Sequence, residues 1–132
     1  MSRKIAREEL FKIVFEGEIN GVLPNTLLDE FLSREEVILS PKGKEFLVKY
    51  VEGISAHNDE LNALIDEKMT GWNLDRIGNV EKALLKCAAY ELKHETTGHE
   101  IVANEVIELA KVYGDEKSYE FINGVLANII KG

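Results

Sequence analysis

Cysteine is nearly missing from this chain. The 132 residues hold one, Cys87, so no intrachain disulfide framework exists. A small disulfide-stapled secreted scaffold is excluded, and a cytoplasmic protein is expected. Cys87 shares an apolar helical face with Val80, Ala83, Leu84 and Ala88, which suits a small buried hydrophobe rather than a nucleophile. No run of about 18 apolar residues occurs and no signal-peptide pattern is seen, so neither a membrane span nor export is expected. No segment alternates apolar and polar residues as a strand would, and no Gly-rich phosphate loop follows a strand. Proline is rare too: Pro24 and Pro41 are the two in the chain, and both stand where a helix can open.

Basic charge is also scarce. Sixteen Lys and Arg face 24 Asp and Glu, for a net charge of −8. That balance argues against a nucleic-acid binder, but its distribution weakens the objection. Residues 1–12 set Arg3, Lys4, Arg7 and Lys12 against Glu8 and Glu9. Residues 111–132 balance Lys111, Lys117 and Lys131 with Asp115, Glu116 and Glu120. The acid excess therefore lies in the middle of the chain. If the two ends meet in the fold, a local basic patch sits on an acidic body.

Hydrophobic residues make up 45% of the chain, enough to give one domain, or two small subdomains, a core. Their spacing is helical throughout. A first helix is predicted from about Arg3 to Glu16, closed by Gly17. Pro24 opens a short second helix. Ser40-Pro41 caps and starts a third, predicted to run for nearly thirty residues with a bend near His57-Asn58. Asn73 is a candidate cap for a short turn through Leu74 and Ile77. Another helix spans about Asn79 to Lys93, followed by a polar loop at Thr96-Thr97-Gly98.

The last quarter holds two stripes. Val102, Val106, Leu109 and Tyr113 form one; Phe121, Val125 and Ile129, with Ile122, Leu126 and Ile130 beside them, form the other. Between them Gly114 is placed to close a helix in the left-handed conformation, and Asp115 to cap the next. Asn123-Gly124 is out of character inside a helix, where Gly costs about 1 kcal/mol against Ala. A glycine there lets another backbone, or a ligand, come close, and close helix packing is the structural explanation. The pentapeptide Ile-Asn-Gly-Val-Leu occurs at both 19–23 and 122–126, without any other repeat.

The three histidines do not make a sequence motif. His94 and His99 are five apart across a loop, whereas a helical zinc pair needs four; His57 lies elsewhere. No metal or cofactor is expected, and the dispersed carboxylates give no catalytic residues. A metal-dependent hydrolase built on His94 and His99 is the weakest alternative.

Asn104-Glu105, Ile107-Glu108-Leu109-Ala110-Lys111, Tyr113-Gly114, Ser118 and Phe121-Ile122-Asn123-Gly124-Val125-Leu126 resemble the carboxy-terminal motif of the NusB family of bacterial transcription antitermination factors. Trp72, Leu74, Arg76, Val80-Glu81, Leu84-Leu85 and Tyr90-Glu91-Leu92 resemble the block before it. Arg3-Lys4 and Ala6-Arg7-Glu8 resemble its basic opening. The chain departs from the pattern where Ile5 interrupts the basic cluster. It departs again at Gly98-His99-Glu100, where many relatives place a proline and a base.

The resemblance implies an all-α fold: a compact bundle of six to seven helices in two packed subdomains, roughly 1–70 and 71–132. It implies a non-enzymatic factor that binds boxA RNA together with NusE, a ribosomal protein, within the RNA polymerase antitermination complex on ribosomal RNA operons. Carried over by position, RNA binding falls on Arg3, Lys4, Arg7, Lys86, Tyr113, Lys117, Ser118, Phe121 and Asn123. NusE binding falls on Phe15 and Glu81, an aromatic anchor and an acidic group suited to a basic partner. For Tyr113 and Phe121, core packing competes with base stacking. The resemblance leaves monomer and homodimer both open. Two alternatives remain: an RNA-binding domain like that of rRNA cytosine methyltransferases, and a protein-only helical adaptor.

Overall fold

Capping residues and glycines mark out the helices of this chain in a computed structural model, which describes residues 2–71 and 76–132. Helix α1 spans Ser2–Asn20, then a 3-10 turn, Pro24–Leu27, leads into α2, Leu28–Leu32. Then come α3, Pro41–Ala56; α4, Asn58–Lys68; α5, Asn79–His94; α6, His99–Tyr113; and α7, Glu116–Lys131. The described residues contain no strand, so the fold is all-α. None of these helices is long and apolar enough to cross a membrane. The predicted cap at Asn73 lies outside the described residues.

Two predicted caps are present. Ser40 Oγ accepts from the Gly43 N–H at 3.0 Å, with Pro41 in the first turn. Asp115 Oδ1 accepts from the Ser118 N–H at 2.9 Å. Three predicted boundaries differ. Helix α1 does not stop at Gly17 but runs on to Asn20, and the turn follows at Gly21, whose φ is 69°. Gly17 instead makes room for the returning chain, since a Cβ there would lie 2.8 Å from the Val22 carbonyl oxygen. The long third helix is two helices, broken at His57 (φ −106°, ψ 19°). Gly114 is extended (φ −108°, ψ −164°), not left-handed. It is needed for space, because a Cβ would come 2.7 Å from Ser118 Cβ.

Helix α5 is the central element. It packs on α1, α3 and α4 on one side and on α6 and α7 on the other. Its residues from Ala83 to Glu91 are all buried. Leu10, Ile13, Leu47, Ile54, Leu84, Leu85, Ile122 and Leu126 are among the largest side chains fully removed from water. Each such aliphatic contributes about 1.5–3 kcal/mol by burial. Cys87 is buried among them, and burial pushes its thiol well up, so it is a packing residue and not a nucleophile.

A polar cluster sits inside this apolar frame. Arg7 on α1 donates to both carboxylate oxygens of Glu91 on α5, Nε to Oε1 at 3.1 Å and Nη2 to Oε2 at 2.5 Å. The Tyr50 hydroxyl of α3 donates to Glu91 Oε2 at 3.0 Å. Burial works to raise the Glu91 carboxyl, but the hydrogen bonds from Arg7 and Thr97 and the Arg7 charge hold it below the ordinary carboxylate range. A buried pair of this kind adds little net stability, yet leaving one partner unpaired is costly.

Glu91→Gln is therefore expected to lower stability by about 3 kcal/mol. A carboxyl whose folded pKa is depressed adds stability above its unfolded pKa of about 4.3, and that stability is lost as pH falls through the folded value. Urea melts from neutral pH down to about pH 3 should show a steeper acid decline for the parent than for Glu91→Gln. Parallel declines would remove Glu91 from the acid transition.

Candidate nucleic-acid and protein interface

The first turn of α1 divides its cations between two faces. Arg3 and Arg7 are four apart and share a face. Both guanidinium groups lie over the Phe46 ring of α3, at 5.7 and 5.4 Å from its centroid. Lys4 and Glu8 share the neighbouring face. Glu8 accepts the Tyr113 hydroxyl from the end of α6, at 2.5 Å. Burial and then the Glu8 carboxylate push the Tyr113 phenol up to about 12, so it stays a neutral donor. The Tyr113 ring also packs on Phe11 at 4.8 Å. The start of α1 thus meets the end of α6, a pairing that the charge distribution left open.

The predicted residues separate by burial. Arg3, Lys4, Lys117 and Asn123 are exposed, and Tyr113 and Phe121 are half-buried. Arg7, Lys86 and Ser118 are buried. Arg7 is held by Glu91. Lys86 Nζ donates to Glu18 Oε2 at 2.5 Å and to Asn58 Oδ1 at 2.7 Å. Glu18 lies fifteen residues beyond Arg3, about 22 Å along the helix, so Lys86 belongs to the far end of α1. Ser118 Oγ donates to Glu81 Oε2 and lies 3.1 Å from Asp115 Oδ1, with one proton shared between them. Sequence reasoning treated these as exposed groups because residue type does not reveal which way a side chain points.

Three grooves adjoin these residues. The first, about 630 Å³, runs between Arg3, Lys42, Phe46 and Lys49 on one side and Thr96 and Thr97 on the other. Lys42, Lys49 and the two threonines were not singled out in the sequence. They come from segments far from Arg3 along the chain. A second groove, about 310 Å³, lies between Arg76, Ile77 and Glu81 before and within α5 and Lys117, Ser118 and Phe121 on α7. The third, about 450 Å³, is mostly apolar and includes Phe11, Phe15, Phe31, Val37 and Val80, with Arg34 at its edge. Phe15 stacks on Phe11 with ring centroids 5.6 Å apart. Arg34 is clamped there by Glu16 and Glu30.

Phe15 and Glu81 thus do not share one groove. Val80 lines the groove of Phe15, while the next residue, Glu81, turns its carboxylate to Ser118. Glu81 sits among Lys117, Ser118 and Phe121. Asn123 is two residues past Phe121, about 200° around the helix, and faces away from it. Lys117, Phe121 and Gly124 do lie along one face, at steps of four and three. Gly124 is exposed, and a Cβ there would meet nothing within 4 Å. The close packing predicted at Gly124 is therefore absent; the glycine leaves bare, flat backbone beside Phe121.

Exposed cations flanking aromatic and backbone surfaces suit single-stranded nucleic acid, which needs charge for phosphates and planes for bases. The apolar groove with an aromatic floor suits a protein segment. Residues 4–131, nearly the whole chain, match the NusB family model. The chain belongs to the NusB family.

The likeness to individual NusB proteins spans nearly the full length. Transcription antitermination protein NusB of Fusobacterium nucleatum is 43% identical, over 97% of this chain and 88% of its own. That of Bacillus subtilis is 37% identical, over 98% and 95%. Among solved structures, NusB of T. maritima superposes with a TM-score of 0.86 at 32% identity, covering 98% of this chain and 90% of that one. A structure of antitermination factors NusB and NusE in complex with double-stranded RNA gives 0.88 at 30% identity, covering 98% and 96%.

Open space at Gly124 gives a direct expectation for this NusB family chain. Gly124→Ala should raise stability by about 0.5–1 kcal/mol, through helix propensity and a less flexible unfolded chain. A chemical denaturation midpoint that falls instead would mean that the bare backbone is already covered.

Proposed function

We propose that this chain is a transcription antitermination factor that binds boxA-type RNA together with NusE. It works in the cytoplasm, promoting processive transcription of ribosomal RNA operons within the RNA polymerase antitermination complex. The observation that carries the reading is the near full-length likeness to NusB in a complex with NusE and RNA. The grooves described above supply a matching division of labour.

In this reading Arg3, Lys4 and Lys117 contact phosphates, and Phe121 with the bare backbone at Gly124 offers a platform for a base. Tyr113 braces the first turn of α1 against the corner. Arg7, Lys86 and Ser118 act by positioning: one orients α1, one joins α1 to α5, and one fixes the start of α7. Phe15 anchors the NusE segment, and Glu81 lies at the boundary between the RNA and protein surfaces. The factor acts by assembly and not by catalysis. Two weak interfaces on one scaffold raise each other's effective concentration, so RNA binds weakly alone and more tightly with NusE present.

Titration of labelled boxA RNA at several salt concentrations tests this. About three phosphate contacts give a log–log slope near −2 for a single strand, and a flat response sinks the RNA role. Adding NusE should tighten binding at least tenfold, and Phe15→Ala should abolish that gain while leaving the salt slope of the factor alone unchanged. If Phe15→Ala keeps the full gain, the apolar groove is not the NusE site.

A further inference from the structure

The three histidines, unrelated by spacing, are partly reunited by the fold. The break between α3 and α4 places His57 beside the last turn of α5, which carries His94. His57 Nδ1 lies 3.0 Å from Glu60 Oε1. His94 Nε2 lies 2.8 Å from Glu60 Oε2. The two imidazole rings are stacked, with centroids 4.0 Å apart and planes at 21°. One donor atom from each of the three residues falls within 4.8 Å of the others. His99 is not part of the group.

We propose that His57, Glu60 and His94 form a binding site for a divalent transition-metal ion, with zinc as the first candidate. Two imidazoles and one carboxylate are a ligand set that zinc accepts, with water completing the shell. Zinc bonded at about 2.0–2.1 Å to tetrahedral ligands needs donor atoms about 3.3 Å apart. The two imidazole nitrogens lie against different oxygens of Glu60, at 3.0 and 2.8 Å, and the rings are stacked, so both side chains must rotate out of that stack to converge on one ion. The side chains are 26–51% exposed, so an ion and its water have access.

Two local features favour the metal. His57 occupies the N-cap of α4 yet makes no side-chain cap bond. A position that prefers Ser, Asp or Asn is held by a residue whose ring nitrogen turns to Glu60 instead. His94 stands in the last turn of α5, where the negative end of the helix dipole favours a cation. The positive end of α4 opposes it with about half a charge, and the full charge of Glu60 outweighs that. The nearby ammonium of Lys86 is already neutralised by Glu18. Binding would staple the start of α4 to the end of α5, away from the groove of Phe15.

The test uses the untagged full chain, stripped with EDTA and dialysed, and then titrated with zinc chloride by calorimetry. One ion per chain is expected, and at a hundredfold excess over Kd the Tm should rise by about 5–10 °C. Cobalt should give the visible absorption of a low-symmetry four- or five-coordinate ion. His57→Gln, Glu60→Gln and His94→Gln should each weaken zinc binding at least tenfold, while His99→Gln leaves it unchanged. Absence of a saturable one-to-one site overturns the proposal: the trio is then a hydrogen-bonded contact only. So does a His99→Gln variant that loses as much affinity as His94→Gln.

Discussion

The buried contact among Arg7, Glu91 and Tyr50 is the constraint on which the rest of the structure depends. Three helices distant in sequence meet at one carboxylate. Arg7 is held there by both oxygens of Glu91, so sliding or rotating α1 on α5 would leave a buried charge unpaired. Once Arg7 is fixed, helix geometry fixes its neighbours. Arg3 must fall one turn earlier on the side of α3. Lys4 and Glu8 must fall on the side of α6, where Tyr113 reaches Glu8. The division of the basic first turn between two surfaces is thus a consequence of one interior ion pair.

The corner at Gly114 follows similar logic on a smaller scale. Asp115 is held ionised, first by the Ser118 N–H and then by its hydroxyl. The same hydroxyl turns toward Glu81 on α5. The start of α7 is therefore tied to α5 through one serine. Lys117 and Phe121 inherit their orientation from that tie. Small groups inside the molecule aim the larger ones outside.

The sequence carried the local part of this plan. Ser40 and Asp115 were readable as caps because capping acts over three residues, and the stripes of α6 and α7 were readable because helical periodicity is local. Features that depend on contacts distant along the chain were not. Gly17 looked like a helix end, but its reason is the returning chain at Val22. Gly114 looked left-handed, but its reason is the side chain of Ser118. Arg7 and Lys86 looked like surface cations, because nothing local distinguishes a lysine reaching an internal carboxylate from one reaching water. The two copies of Ile-Asn-Gly-Val-Leu make the point most plainly. One ends a helix at Gly21 and the other lies within α7. The family motifs supplied what local physics did not, namely which end of the chain pairs with which.

The interior placement of Arg7 and Lys86 has an electrical consequence for the molecule as a whole. The chain is net −8, and two of its sixteen cations, Arg7 and Lys86, are taken up by internal carboxylates. Beyond a Debye length, about 8 Å at physiological salt, a passing polyanion feels little. Within that range the acid excess repels it, and exposed cations such as Arg3 and Lys4 attract it locally. Such a layout acts as an orientation filter: it trades general stickiness toward nucleic acid for dependence on the direction of approach.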